Sequence, residues 1–190
     1  MTNTLTNRRL NAESALLDAA ERLLVTVGDA GLTTRRVAEE AGVNHGLVHY
    51  YFGSMDQLLA RVLERFTEQL IARQRAMYAE DRPFIEKWRT AMRYLEDDRP
   101  YQKVWFELQA LAWNRPELRE TVTRVRAAWY EVLTEAFEQA RAEHEIDVPT
   151  DVLVGLVVTL NEGIILERLS GGGDHDALLD WIDAWLERSR

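Results

Sequence analysis

The sequence predicts an all-α fold of about nine helices, and three observations support this. Apolar residues recur at three- and four-residue spacing along most of the chain, as they do in amphipathic helices. Prolines stand at or just before the starts of several of these stretches, where the missing N–H costs least. No run of four to eight residues alternates between polar and apolar in the manner of a strand bounded by turn signals.

Three helices are predicted before residue 53. The apolar stripe of the first helix is Leu16, Ala20, Leu23, Leu24 and Val27. Two shorter helices follow, and Thr33 and Asn44 are natural N-caps for them. A tight turn that contains Gly42 joins the two short helices.

Six mostly longer helices are predicted after residue 53. The first covers residues 55–79, where seven apolar side chains recur without a helix breaker. The prolines at the starts of the next four are Pro83, Pro100, Pro116 and Pro149. The helix that Pro149 opens runs until the three glycines at 171–173, and the last helix carries Trp181 and Trp185 on one side.

The composition excludes several classes of protein. The 190 residues include no cysteine, so disulfide scaffolds, thiolate zinc sites and cysteine nucleophiles are excluded. The net charge of −9 excludes a protein that coats a polyanion through bulk charge. No apolar run approaches the roughly 20 residues of a membrane span, and the first ten residues lack the apolar core of a secretory signal. We therefore expect a cytoplasmic protein that does not interact with membranes.

The two short helices predict a helix-turn-helix motif. Two short helices joined by a three- or four-residue turn with a glycine are typical of DNA-binding proteins, in which the second helix enters the major groove. The alternative is an ordinary helical hairpin. The charge distribution favours DNA binding, because residues 1–53 hold five basic and six acidic residues, a net −1, and the remaining −8 lies beyond them.

The region from Ala12 to Leu59 contains a specific set of residues around the two short helices: Leu32, Thr33, Arg35, Val37, Ala38, Ala41, Gly42, Val43, Gly46, Tyr51, Phe52, Ser54, Asp56, Leu58 and Leu59. In these residues the chain resembles the TetR family of bacterial transcriptional regulators. Four positions depart from the family's usual residues: Asn44 stands for Ser, Leu47 for Thr or Ser, His49 for Tyr, and Met55 for Lys. The exchange at Met55 puts one phosphate contact in doubt, and one contact changes the salt dependence of log K by about 0.9.

The resemblance implies a ligand-responsive DNA-binding regulator, and we expect a repressor. Such a protein binds a palindromic double-stranded DNA operator as a homodimer and leaves it when a small molecule binds the C-terminal domain. The expected domains are a helix-turn-helix DNA-binding domain at 1–53 and an effector-binding and dimerisation domain at 54–190. The alternative is a helical small-molecule-binding protein without DNA activity.

Chemistry and resemblance together nominate three sets of residues. The candidates for DNA contact are Thr33, Thr34, Arg35, Arg36, Asn44, His45, Gly46, Leu47, His49 and Tyr50. The candidates for an apolar or aromatic effector are Trp88, Met92, Trp105, Phe106, Gln109, Trp113, Trp129, Asn161 and Glu162. The candidates for the dimer interface are Val157, Leu160, Ile164, Trp181, Ile182 and Trp185, for which the alternative is a larger core within one chain.

No catalytic residue, metal ligand or cofactor is predicted. The sequence lacks a Glu-x-x-His motif and a glycine-rich phosphate loop, so an enzyme has no support. His45 and His49 have the four-residue spacing of metal ligands but no third ligand nearby. His144 and His175 fall at expected helix ends, where we expect solvated side chains.

Overall fold

The computed structural model describes residues 2–188, with side chains from residue 11 onward. Over this range it contains nine α-helices and no strand, so the predicted fold class is confirmed. The helices are α1 (Thr2–Val27), α2 (Thr34–Ala41), α3 (Gly46–Phe52), α4 (Met55–Tyr78), α5 (Phe84–Asp97), α6 (Arg99–Ala112), α7 (Pro116–His144), α8 (Thr150–Leu169) and α9 (Asp176–Arg188). A single 3₁₀ turn, Asp29–Gly31, lies between α1 and α2.

The prolines begin helices as the sequence predicts. Pro83 and Pro149 are the N-caps of α5 and α8, and Pro116 is the first residue of α7. Pro100 is the second residue of α6. At these positions the helix has no partner for the N–H that proline lacks.

The chain divides into two compact units. The first consists of the chain up to Thr67 together with Lys103–Val125, and the second of Glu68–Gln102 together with the chain from Arg126 onward. Helices α4, α6 and α7 therefore each supply residues to both units. The first unit extends beyond the predicted boundary at residue 53 because the beginning of α4 and parts of α6 and α7 belong to it.

The first unit has a core that holds the short helices in place. Helix α1 contacts both α2 and α3. The core side chains include Leu16, Ala20, Leu24, Val37, Ala38, Val48, Phe52, Leu58, Leu59, Val62 and Leu63, all at most 5% exposed. Burying such side chains stabilises the unit by about 1.5–3 kcal/mol for each large aliphatic residue, which helices of seven or eight residues need because they are unstable alone.

The second unit has its own hydrophobic core. Its buried members are Phe84, Ile85, Trp88, Leu133, Ala136, Phe137, Ala140, Val154, Val158 and Leu186. His144, predicted to be solvated, is only 5% exposed, and its ring packs edge-on against Phe84. The prediction was wrong because the last turn of α7 remains part of the core.

None of the helices between residues 2 and 188 combines the length and the apolar composition that crossing a bilayer requires. The first ten residues, which lack the apolar core of a secretory signal, lie outside the side chains that the structure describes.

Candidate DNA-reading surface and effector cavity

Local hydrogen bonds shape the helix-turn-helix. The Thr33 hydroxyl oxygen accepts the N–H of Arg36 at 3.2 Å, so the predicted N-cap of α2 is confirmed. Helix α2 ends at Gly42, whose φ of 67° lies in the left-handed region that glycine adopts at little cost. Asn44, the other predicted N-cap, lies one residue before His45, which is the N-cap of α3. The Asn44 side-chain oxygen accepts the N–H of Gly46 at 2.9 Å and so supports the first turn of α3.

Eight of the ten predicted DNA-contact residues are exposed. The exposed members are Thr33, Arg35, Arg36, Asn44, His45, Gly46, His49 and Tyr50, and the half-buried members are Thr34 and Leu47. Tyr50 is 60% exposed, and its ring packs edge-on against Tyr51 at 5.0 Å between centroids. Val48 and Phe52 are buried in the core, so the opposite side of α3 is exposed to solvent, as it must be to enter a DNA major groove.

His49 has a defined hydrogen bond on one ring nitrogen. Its Nδ1 lies 3.0 Å from the carbonyl oxygen of Gly53, which can only accept, so Nδ1 carries the hydrogen. In the neutral ring Nε2 is then an acceptor and cannot bind a phosphate oxygen. With this hydrogen bond in place, a phosphate contact through Nε2 requires the imidazolium form of His49.

The arginines at the start of α2 already have acceptors. Arg35 Nε lies 2.8 Å from Glu39, which raises the pKa of Arg35 through this hydrogen bond and its charge. Arg36 donates to the carbonyl oxygen of Gly31 at 3.4 Å. Both side chains are exposed, so water screens these interactions and phosphate oxygens can replace the acceptors.

Charged residues of α6 and of the α6–α7 connection fix the turn that precedes α2. Glu107 accepts the backbone N–H of Asp29 at 2.5 Å, and a Cβ added at Gly28 would lie 2.8 Å from that carboxylate. Arg115 donates to Asp56 at 2.8 Å and to Asp29 at 3.4 Å. Through these contacts, Glu107 and Arg115 hold the turn before α2 and the first turn of α4 from outside the helix-turn-helix.

Glu64 forms a further ion pair between α4 and a residue outside the helix-turn-helix. It lies 2.6 Å from both Arg61 and Arg124, the latter on α7. Burial alone would raise the pKa of Glu64, but the hydrogen bonds from Arg124 and Arg61 outweigh burial and leave the pKa below its ordinary value. Glu64 is therefore ionised at neutral pH and pairs α7 with the first half of α4.

The second unit encloses a cavity of about 70 Å³. Its lining residues are Leu70, Gln74, Tyr78, Trp88, Ala91, Met92, Tyr94, Leu95, Asp98, Tyr101, Gln102, Leu133, Val157, Asn161 and Ile165. Four of them are aromatic and most others are aliphatic, as in a site for a small, largely apolar molecule. Burial raises the pKa of Tyr78, so its hydroxyl stays protonated at neutral pH.

The charged and polar groups of the cavity wall are mostly engaged. Asp98 forms a two-pronged ion pair with Arg73, whose guanidinium carbon lies 4.2 Å from the centroid of the Tyr94 ring. Gln102 Nε2 donates to the carbonyl oxygen of Leu95 at 2.9 Å. Asn161 differs, because its buried Oδ1 has no hydrogen-bond partner among the described residues.

The cavity brings together three of the nine predicted effector residues: Trp88, Met92 and Asn161. Trp129 does not line the cavity, but it donates its indole N–H to Gln74, which is a lining residue. Glu162, predicted as an anchor, instead pairs with Arg126 at 3.0 Å. It points away because residues adjacent on a helix face different directions.

The other four predicted effector residues lie in α6 and the turn after it. Trp105, Phe106 and Gln109 belong to the first unit, and none of them lines the cavity. Trp113 is 75% exposed and lies outside the cavity wall. Only the first residues of α6, including Tyr101 and Gln102, belong to the second unit. The apolar pattern of α6 does not show that the helix is divided between the two units.

The predicted interface residues separate into two groups. Ile164 is only 2% exposed and Val157 lines the cavity, so both are committed within their own chain. Leu160, Ile182 and Trp185 are half-buried, and Trp181 is 61% exposed. The apolar residues of α8 and α9 that are exposed in the single chain are Val152, Leu156, Leu166, Leu169, Leu178 and Trp181, and we call them the apolar face.

Several cavity residues were not predicted from the sequence. Leu70, Gln74 and Tyr78 recur every four residues along α4 and so share one face, which is a signal that the sequence contains. Asp98 and Tyr101 stand around the short break between α5 and α6. No periodicity marks such residues, because they face the cavity through the turn between two helices.

An all-α chain with an exposed recognition helix in a helix-turn-helix, and a second helical unit around a cavity, defines the class of helix-turn-helix transcriptional regulators. The model of the family "Bacterial regulatory proteins, tetR family" matches residues 16–62. The model "Tetracyclin repressor-like, C-terminal domain" matches residues 79–188. The chain belongs to the TetR family.

Individual relatives agree with this assignment. The transcriptional regulator BetI 1 of Chromohalobacter salexigens is 28% identical over 125 residues, which cover 60% of this chain and 58% of that protein. The transcriptional repressor Rv3405c of Mycobacterium tuberculosis is 39% identical over 62 residues, 33% of each chain. A crystal structure of a putative TetR-family regulator from Rhodococcus sp. superposes with a TM-score of 0.74 at 26% identity, covering 92% of this chain and 97% of that one.

Proposed function

We propose that this protein is a repressor that binds a two-fold symmetric operator as a homodimer and leaves it when a small molecule fills the cavity. The observation that carries the proposal is the exposed side of α3, which presents Asn44, His45, His49 and Tyr50 on a motif whose inner side is buried. The mycobacterial relative Rv3405c is a transcriptional repressor, which supports repression as the direction of regulation.

We assign phosphate contacts to the start of α2. Thr33 and Thr34 are placed at a helix N-terminus, where free N–H groups and the helix dipole favour an anion. Arg35 and Arg36 would exchange their present acceptors for phosphate oxygens. These contacts set position and affinity without reading sequence.

We assign base contacts to α3 and the turn before it. Asn44 and His45 stand at the N-terminal end of α3, the part of a recognition helix that reaches base edges. Gly46 permits close approach because it has no side chain. Tyr50 is suited to a thymine methyl or a phosphate, and His49 to a phosphate when protonated. Leu47 is half-buried and offers apolar contact at the edge of this surface.

The apolar face supports the homodimer. Leu156 on α8 and Trp181 on α9 are 62% and 61% exposed, and burying such large apolar side chains against a second chain would stabilise a dimer. Two helices from each of two chains form a four-helix bundle in many symmetric dimers. Dimerisation would pair two copies of α3 with two half-sites about 34–36 Å apart, or a multiple of that distance.

Three continuous helices offer a route for the response to ligand. Helices α4, α6 and α7 supply residues to both units, and Glu107 and Arg115 tie α6 and its exit to the turn before α2. A ligand that prefers a conformer with displaced α4 would shift the population away from the DNA-binding arrangement. Such coupling commonly amounts to about 1–3 kcal/mol.

The test is operator binding by fluorescence anisotropy with the duplex upstream of the protein's own gene. We expect a sequence-specific complex that weakens with salt and that unlabelled duplex of the same sequence displaces better than shuffled duplex. No specific complex at any salt concentration, with a cavity that still binds ligand, would identify a ligand-binding protein without DNA activity instead.

A further inference from the structure

The Asn161 side chain is an unsatisfied hydrogen-bonding group in the cavity wall. The residue is 7% exposed and lines the cavity from α8. Its Oδ1 is buried and accepts no hydrogen bond from the described residues. Buried carbonyl oxygens in proteins nearly always have a donor, and leaving one without a donor destabilises the folded state.

The neighbouring polar groups of the wall do not supply that donor. Gln102 donates to Leu95, and Gln74 accepts from Trp129 at 2.8 Å. Among the buried polar atoms that lack a partner in the described residues, Asn161 Oδ1 is the one that belongs to a lining residue. A bound molecule that donates a hydrogen to Asn161 Oδ1 would therefore satisfy the buried atom of the wall that lacks a partner.

The remaining wall favours an uncharged molecule with a flat, apolar body. Asp98, the charged member of the wall, is already neutralised by Arg73. A charged ligand would lose its hydration without gaining a free counterion. The aromatic walls, which include Trp88, Tyr94 and Tyr101, suit a small, flat, apolar body.

We propose that the effector is a small uncharged alcohol or phenol, or an amide of similar size, whose O–H or N–H donates a hydrogen bond to Asn161 Oδ1. Only the regulatory role of the bound molecule rests on the proposed function. Binding to the cavity is measured without DNA, so failure here leaves operator binding untouched and failure of operator binding leaves this result untouched.

The experiment compares phenol with toluene by isothermal titration calorimetry on the full-length protein. The two probes have nearly the same shape and differ in whether a hydrogen can be donated. The variable is the ratio of the toluene and phenol dissociation constants, measured for the wild type and for Asn161→Leu. We expect this ratio to fall at least tenfold in the variant, which corresponds to about 1.4 kcal/mol.

The control variant is Glu162→Gln, on the next residue of α8. Glu162 pairs with Arg126 and does not line the cavity, so its substitution should leave the ratio unchanged. Two probes test the wild type alone, in case Asn161→Leu does not fold. Anisole has the oxygen of phenol without its hydrogen and should bind more weakly than phenol, and tetramethylammonium should bind more weakly than phenol as well.

Four results would overturn the proposal. They are an equal toluene-to-phenol ratio in wild type and Asn161→Leu, anisole binding as tightly as phenol, tetramethylammonium binding more tightly than phenol, and no saturable binding of any probe. The second would show that the wall supplies a donor, and the third that it selects a cation through its aromatic rings.

Discussion

The helix-turn-helix and the cavity are built in opposite ways. The proposed DNA-contact residues lie within an 18-residue stretch, between Thr33 and Tyr50, and local hydrogen bonds of the Thr33 and Asn44 side chains shape the starts of α2 and α3. The cavity wall extends from Leu70 to Ile165 and takes side chains from five helices. One surface is therefore encoded locally, whereas the other exists only when distant helices pack.

The two regions also treat polar groups differently. The exposed arginines of α2 have acceptors that water screens, so DNA can replace those acceptors at low cost. In the cavity wall, Asp98 and Gln102 are paired with protein groups, and Asn161 Oδ1 is the buried atom without a partner among the described residues. We expect DNA binding to rest on several weak contacts, and ligand choice to depend strongly on one residue.

The largest expected effect is on the apolar face. Leu156→Arg places a charge on an exposed position, so the single chain should keep its fold while the dimer dissociates. Losing the second half-site contact should weaken operator binding by roughly 100- to 10,000-fold. Sedimentation velocity gives the oligomeric state and anisotropy the affinity.

The matched control is Glu138→Arg, which adds an arginine at an exposed position of α7 outside the apolar face. It should remain a dimer and bind operator as the wild type does. A Leu156→Arg protein that stays dimeric would show that α8 does not form the interface.

The next effect lies in the recognition helix. Tyr50→Ala should weaken operator binding by roughly 10- to 100-fold, because one base contact contributes about 1–3 kcal/mol of discrimination. Calorimetric binding of phenol should not change. Since Tyr50 is 60% exposed, the circular dichroism spectrum should stay helical.

Trp113→Ala is the control for Tyr50→Ala, because it removes another exposed aromatic ring of the first unit. It should alter neither operator affinity nor phenol binding. If both alanine variants lose the same affinity for operator, the exposed side of α3 is not the specific contact surface.

The smallest expected effects are on the free energy of unfolding, and they have opposite signs at Gly42 and Gly155. Gly42→Ala should lower the free energy of unfolding by about 1 kcal/mol, since alanine is strained in the left-handed conformation. Nothing lies within 4 Å of the added Cβ, so the loss reports backbone strain alone. Gly155→Ala, inside α8 and equally unobstructed, should raise the free energy by roughly 0.5–1 kcal/mol.

Chemical denaturation of both glycine variants provides the measurement. Opposite signs would confirm that the glycine of the turn is required by backbone conformation and that the glycine of α8 is not. A stabilised Gly42→Ala protein would contradict the left-handed cap that ends α2.

The same contrast explains what could be predicted from the sequence. Helix positions followed from apolar spacing and proline, and α8 from Thr150 to Leu169 matches the prediction at both ends. Thr33 and Gly42 were readable because capping chemistry depends on neighbours in sequence. These properties depend on neighbours in sequence, and they account for most of the helix-turn-helix.

The cavity could be predicted only in part. Trp88 and Asn161 stood out by residue type, but Trp113, which is also aromatic, lies in the turn after α6 and is exposed instead. Glu162 interrupts an apolar run as Asn161 does, yet it faces Arg126. Which side chain meets the cavity depends on how each helix is rotated against its neighbours, and a single sequence does not contain that information.

Selection of bound sequences from a random double-stranded DNA library is the decisive test of sequence reading by α3, because the protein itself chooses the sequence. We expect the wild type to enrich a two-fold symmetric sequence, with half-sites about 34–36 Å apart or a multiple of that distance. Tyr50→Ala should enrich it more weakly and lose preference at the base pairs that Tyr50 contacts. A wild-type selection that yields no shared sequence, or equal enrichment with the same preference at every position for both proteins, would contradict this reading of α3.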